Sequence, residues 1–271
     1  MQRPAWAPTG IDISVPSVSR IYDYYLGGSH NFEVDREAAR KAMEFMPGLP
    51  KIMQANRAFM RRAVRYAVDQ GIEQFLDIGS GIPTFGNVHE VAQKAAPGAR
   101  VVYVDHDPVA VAHGEAVLAD NPHAQSVAAD FLRPREILQS PPVKELLDLD
   151  RPVAVLLIAL LHFIDEDDNP HQVLAELVGA LAPGSLIVLT HAAPELMPGR
   201  AETEGVAGVY EAIRSPLWLR PKEEVARFFD GLELVEPGLV PIPHWRPEAA
   251  TPEEEDPQSL APGYAAVGRT A

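Results

Sequence analysis

Phe75-Leu76-Asp77-Ile78-Gly79-Ser80-Gly81, answered downstream by Val101-Val102-Tyr103-Val104-Asp105, decides how this chain is read. An apolar run closes on an acid and turns on two glycines; a second apolar run also closes on an acid. Glycines after a strand remove the Cβ atoms that keep a ligand away from the backbone, and the helix that follows offers unpaired N–H groups. A carboxylate ending the next strand can accept hydrogen bonds from ribose hydroxyls. Together the two segments predict a parallel sheet with a nucleoside-containing cofactor at the carboxyl ends of its strands.

Working outward, strands are expected at 73–78, 100–105, 125–129, 153–160 and 185–191. Helices are expected at 86–96, 108–119, 134–148 (broken near Pro141-Pro142) and 170–181. Val153 to Leu160 is a continuous apolar run, as a parallel strand buried on both faces requires. Crossovers long enough for helices imply a doubly wound α/β sheet. Helical stretches around Val206 to Ile213 and at 221–229 then precede Leu232-Glu233-Leu234-Val235. That segment and Tyr264-Ala265-Ala266-Val267 are read as a C-terminal antiparallel hairpin around the acidic loop Glu253-Glu254-Glu255-Asp256.

Upstream of the sheet, residues 1–70 read as a helical extension and 71–271 as the main domain. The first dozen residues are Pro-rich. Val18, Ile21, Tyr22, Tyr25 and Leu26 fall on one helical face, stopped by Gly27-Gly28. Asp35 is expected to precede a second helix carrying Ala38, Ala39, Ala42 and Met43. A third follows Pro50, with Ile52, Ala55, Phe59, Ala63 and Ala67 inward and Arg57, Arg61 and Arg65 on the opposite face.

Composition narrows the function. Of 271 residues, 46% are hydrophobic, so a large core can form. A net charge of −15, from 23 basic and 38 acidic residues, argues against a broad nucleic-acid-binding face. The absence of cysteine removes disulfides, thiolate nucleophiles and Cys-ligated zinc. No His/Asp/Glu spacing resembles a metal site. The longest apolar run, Val153 to Leu161, is too short to span a bilayer, and Met1 to Gly10 lacks the pattern of a secretory signal. A soluble cytoplasmic protein with a small-molecule substrate is expected.

The glycine loop departs from the dinucleotide fingerprint, because Thr84 stands where a third glycine is needed. This disfavours an NAD-dependent oxidoreductase. Asp105 is placed to bind a ribose, while Asp107, just before Pro108, is the better cap for the next helix. Asp130-Phe131 after the third strand can hold an adenine by its amine and its face. Leu160-Leu161-His162-Phe163 follows the fourth strand, beside the crevice where such sheets bind ligands.

Asp-x-Gly-x-Gly, the acid after the second strand and Asp-Phe after the third resemble class I S-adenosylmethionine-dependent methyltransferases. More narrowly, the chain resembles a bacterial family of such proteins long catalogued as a domain of unknown function. The matching segments are Ser19-Arg20-Ile21-Tyr22-Asp23-Tyr24-Tyr25-Leu26-Gly27-Gly28, Asn31-Phe32-Glu33-Val34-Asp35-Arg36, Asn56-Arg57-Ala58-Phe59, Gln74 through Thr84, Asn87-Val88-His89-Glu90, Val102 through Pro108, and Leu161-His162-Phe163. The resemblance implies a Rossmann-like, mostly parallel seven-stranded sheet with the C-terminal hairpin and N-terminal helical cap, and S-adenosylmethionine as cofactor. By position it gives Gly79, Ser80 and Gly81 to the methionine and ribose, Asp105 to the ribose, and His106, Asp130 and Phe131 to the adenine. Pro83 stands where many methyltransferases keep a third glycine. The family supplies no substrate.

The segment Gly27 to Phe32 is expected to close over the methionine tail, with Arg20, Asn56 or Arg57 meeting its carboxylate. For a base, His162, His191 and Asp165 lie near the expected crevice, and Tyr24 could line a substrate pocket while Tyr22 and Tyr25 enter the core. His89 and His113 read as surface helix positions. Two readings remain: a methyltransferase for a small molecule, or a binding module that senses S-adenosylmethionine or S-adenosylhomocysteine without turnover.

Overall fold

The computed structural model describes residue 7 and residues 11–84, 86–248 and 261–271. The acidic loop at 253–256 and most of the Pro-rich start lie outside them. Strands β1 (Gln74–Ile78), β2 (Arg100–Asp105), β3 (Ala124–Ala128), β4 (Ala154–Ile158) and β5 (Leu186–Ala192) pair in parallel, with β1 at the centre between β2 and β4. The C-terminal strand β8 (Gly263–Arg269) runs antiparallel to β5, with His191 opposite Tyr264. Strands β6 (Glu233–Leu234) and β7 (Val240–Pro241) both pair antiparallel with β8. The order is β3-β2-β1-β4-β5-β8-β6, so the expected seven strands and terminal hairpin are present. The two-residue β7 is an eighth, too short to give a periodic signal.

Alternation along each strand builds two cores. Phe75, Val101, Leu156 and Val188 face one way; Leu76, Val102, Val155 and Ile187 face the other. Helices α6 (Pro134–Gln139), α7 (Pro141–Leu146), α8 (Pro170–Val178) and α10 (Lys222–Ala226) cover the second face. The first carries the N-terminal helices α1 (Val18–Tyr25), α2 (Glu33–Phe45) and α3 (Leu49–Asp69), with α4 (Val88–Ala95) and α9 (Arg200–Ala212).

Helix α3 accepts Pro50 in its first turn, where the missing N–H costs nothing. It buries Ile52, Phe59, Met60, Ala63, Val64 and Ala67. Phe59 is fully enclosed and its burial contributes about 2–3 kcal/mol. Trp245 meets its edge with ring centroids 5.3 Å apart. Arg62 donates to the Trp245 and Ile242 carbonyls at 2.9 and 3.1 Å. Helices α1 to α3 thus share one apolar cluster with the sheet.

Some expected boundaries shift. Helix α2 starts at Glu33, before Asp35, because Asp35 lies in the first turn and accepts from the Phe32 N–H at 2.7 Å. The fourth strand ends at Ile158 because Ala159 takes a left-handed conformation, φ 55°. His89 is buried, not surface: its Nδ1 lies 2.8 Å from the Tyr103 hydroxyl. A neighbouring strand supplied a partner that helical periodicity does not reveal. The break near Pro141 and the Asp107 cap on α5 (Pro108–Leu118) are as expected.

Candidate cofactor site

After β1 the backbone takes positive φ at Gly79 (71°) and Gly81 (66°). A Cβ on Gly79 would stand 2.8 Å from Leu160 Cδ1, whereas one on Gly81 would meet nothing within 4 Å. Packing requires the first glycine; the second leaves the main chain approachable. Asp105, 4% exposed, joins this loop to the next. Its Oδ2 accepts from the Gly81 N–H and its Oδ1 from the Asp107 N–H, both at 2.8 Å. Burial pushes the Asp105 carboxyl up, and those two N–H groups pull it back. Asp107 caps α5 through the Val109 N–H at 2.8 Å and also accepts from the Ser17 hydroxyl, which fastens the start of α1 to this loop.

A cavity of about 700 Å³ lies along the carboxyl ends of the central strands, within the range of small-molecule sites. Gly79, Asp105, His106, Asp130 and Phe131 all line it. Phe131 is buried, while Asp130 folds its own turn by accepting from the Leu132 N–H at 3.0 Å. The His106 ring stands largely in the open, with Nδ1 3.9 Å from Asp105 Oδ1.

Ser80 and Gly81 line a smaller adjoining space of about 60 Å³ with Asp77, Arg57 and Tyr22. The buried Asp77 carboxyl is pushed up to about 7, chiefly by burial. The Arg57 guanidinium pulls it down and Asp105 pushes it further up. Arg57 is held there by Asn87 Oδ1 at 3.0 Å and the Gly86 carbonyl at 3.3 Å. Asp77 closes the first apolar run of the opening stretch, and its nearness to Arg57 of α3 in this space has no local signal in the sequence.

A third space, about 80 Å³, lies between the ends of β4 and β5 and helices α1, α3 and α9. Val18 and Ala159 line all three spaces, so they adjoin at one point. The Ala159 N–H donates to Thr190 Oγ1 at 2.8 Å, holding the left-handed turn there. Asn56 lines this third space, whereas its chain neighbour Arg57 lines the one beside the glycine loop.

Arg20 also changes role. It lines the large cavity, but its guanidinium pairs with buried Asp35 at 3.1 Å and donates to the Val15 carbonyl. It therefore fixes the entry to α1. The Gly27–Phe32 segment does not line these cavities. Asp23 accepts from the His30 N–H and Asn31 Nδ2 at 2.9 and 2.8 Å and draws the loop back, while Phe32 packs with Ile82, Val109 and Ala110. Residues Ile11 to Arg20 form the wall instead.

The base candidates are spent. His191 donates from Nδ1 to the Ala192 carbonyl at 2.7 Å, and its Nε2 accepts from Arg220 Nη1 at 3.1 Å. Burial, with help from Arg220, pushes it down to about 4. His162 Nδ1 accepts from the Ala192 N–H at 3.3 Å, so the ring proton sits on Nε2. Burial holds His162 well below its usual value, and His191 and Arg220 reinforce this. Asp165 caps a short turn through the Asp167 N–H. Tyr24 interacts with Arg40 and lines none of these spaces; Tyr22, expected in the core, lines two of them and donates to the Met53 carbonyl at 3.3 Å. Arg220, unnoticed in the sequence, organises this corner: it bonds the Leu161 and Ile164 carbonyls and Glu166 besides His191.

The sheet order, with a glycine loop and a cleft at the strand ends, is that expected of a class I S-adenosylmethionine-dependent methyltransferase. The model of the S-adenosyl methyltransferase family matches residues 4–271, and the chain belongs to that family. A solved DUF574-family protein from Streptomyces avermitilis MA-4680 is 40% identical over 96% of this chain and 99% of its own, TM-score 0.90. A candidate methyltransferase from Thermobifida fusca YX is 40% identical over 98% and 99%, TM-score 0.91. The N-methyltransferase NodS of Bradyrhizobium japonicum WM9, solved with S-adenosylhomocysteine, shares the fold at 13% identity over 87% and 97%, TM-score 0.50. Comparison with curated proteins gives no match. Among the described residues no helix is long and apolar enough to cross a membrane.

Proposed function

We propose that this methyltransferase acts on a small molecule seated in the space between β4, β5 and the helical cap, and that Asp77, Arg57, Gly79–Gly81, Asp105, His106, Asp130 and Phe131 hold its cofactor. The observation that carries the proposal is the meeting of three spaces at Val18 and Ala159. The first two match the cofactor in chemistry. A carboxyl and a guanidinium, Asp77 and Arg57, stand together where an amino acid's ammonium and carboxylate would lie. The open backbone of Gly81 borders them, the Asp105 carboxylate serves the ribose hydroxyls, and Phe131 with Asp130 and His106 serves the adenine.

S-adenosylmethionine supplies an electrophilic methyl group when bound. The chain's own work is to align an acceptor atom and exclude water. The cap does the excluding, since Ser17 and Arg20 anchor α1 over the large cavity. The ring lone pairs of His162 and His191 both already accept hydrogen bonds, so the reading favours an acceptor atom that needs no proton removed by them. The strongly acidic composition supports a small molecule over a nucleic acid as acceptor, and a cytoplasmic setting suits the cysteine-free chain.

Calorimetry tests the cofactor half. S-adenosylmethionine and S-adenosylhomocysteine should bind one per chain, and NAD should not. Binding of NAD alone would overturn the assignment. Incubation with methyl-labelled cofactor and a metabolite extract should yield a labelled small molecule; label found only on protein or nucleic acid would refute the small-molecule acceptor.

A further inference from the structure

The space walled by α1, α3, α9 and the ends of β4 and β5 carries its own chemical specification. Among the described residues its lining contains no Asp, Glu, Lys or Arg. Its two histidines are committed to backbone and to Arg220 and remain neutral. A charged guest would therefore lose its hydration without gaining a counter-charge, which is severely unfavourable. The remaining wall is mostly aliphatic, aromatic and thioether, with Leu49, Ile52, Tyr22 and Phe163 among the contributors.

The Thr190, Tyr22 and Tyr210 hydroxyls in this lining already have partners, and Asn56 stands apart from them. Asn56 is 4% exposed, and its Oδ1 is buried with no hydrogen-bond partner. A buried amide carbonyl left unpaired costs free energy that a partner recovers. The ring proton of His162 on Nε2 adds a donor to the same space. Volume sets the scale: about 80 Å³ is below the ~150 Å³ of an apolar cavity that accepts benzene. Met46, Met53 and Met197 line it, however, and unbranched thioether chains re-pack readily.

The geometry points to an acceptor that is uncharged and about one ring in size, with an apolar body and a hydroxyl or N–H group that bonds to Asn56. This rests on the assignment of the third space to the acceptor. Asn56 is then a specificity-determining residue of that site rather than part of the cofactor's.

Fluorine NMR on protein saturated with S-adenosylhomocysteine tests it with three probes: 4-fluorophenol, fluorobenzene and 4-fluorobenzoate. Saturation is first verified by calorimetry. 4-Fluorophenol should bind roughly two- to tenfold more tightly than fluorobenzene, the worth of one hydrogen bond, and 4-fluorobenzoate at least tenfold more weakly than either. Asn56→Leu should equalise phenol and fluorobenzene while S-adenosylhomocysteine affinity stays within about twofold. Met53→Trp, which fills the space, should abolish binding of all three probes and leave that affinity in place. Tightest binding of the benzoate, an unchanged phenol preference in Asn56→Leu, or no probe binding at all to the saturated wild type would overturn the inference. Failure of S-adenosylhomocysteine itself to bind would instead overturn the cofactor assignment beneath it.

Discussion

Asp77→Asn should make this protein more stable and less able to bind its cofactor, with a pH signature. The Asp77 carboxyl is moved from 3.8 to about 7 by burial against the nearby Arg57 charge. A carboxyl whose pKa is raised on folding opposes folding once the unfolded chain ionises. The cost is absent below about pH 4, grows by about 1.4 kcal/mol per pH unit, and levels off above pH 7. A rise of about three units sets the plateau near 4 kcal/mol. Asparagine keeps the shape and removes the charge. Urea unfolding of both proteins without ligand should show Asp77→Asn gaining stability steadily between pH 5 and 7, up to about 4 kcal/mol at pH 8. The bound ammonium group favours the ionised carboxyl, so S-adenosylhomocysteine binding near pH 6.5 should release a proton from wild type and none from the variant. Calorimetry in buffers of different ionisation enthalpy reads that proton. A stability difference independent of pH, or a variant that binds as tightly as wild type, would refute the reasoning.

Other substitutions probe the rest of the site. Asp105→Ala removes a buried carboxylate that would accept from the ribose; S-adenosylhomocysteine affinity should fall at least 100-fold by calorimetry, about 3 kcal/mol, with the circular dichroism spectrum unchanged. Gly79→Ala combines positive φ with a Cβ 2.8 Å from Leu160 and should lose about 2 kcal/mol or more in urea. Adding Leu160→Ala should not restore the backbone share. Arg220→Met leaves the Leu161 and Ile164 carbonyls without this donor and should destabilise the protein by about 3 kcal/mol, read as a lowered melting temperature.

Much of this architecture is legible in the sequence, for local reasons. Continuous apolar runs mark strands β1, β2, β4 and β5 because both faces are covered, and Asp107-Pro108 marks the start of α5 because capping is a short-range interaction. Gly79, Asp105, Asp130 and Phe131 could be placed together because each ends or follows a strand and parallel strands align their ends. What the sequence hides depends on pairing between distant segments. Arg20 and Arg57 look alike on their helices; only the positions of distant partners, Asp35 for one and Asn87 with the Gly86 carbonyl for the other, set them apart. Asn56 adjoins Arg57 in the chain yet lines a different space. His162 and His191 look like bases until the Ala192 backbone and Arg220 claim their nitrogens. The choice of Tyr22 over Tyr24 turns on which side of α1 meets the sheet, and the apolar spacing there is too short to fix it.

A crystal structure of the chain grown with S-adenosylhomocysteine tests the central claim most directly. The adenine should lie against Phe131, the ribose hydroxyls within hydrogen-bond distance of Asp105, and the amino-acid end between Asp77 and Arg57, leaving the sulfur facing the Asn56 space through the Val18–Ala159 junction. Ligand bound elsewhere, or with its sulfur turned away from that junction, would contradict the account.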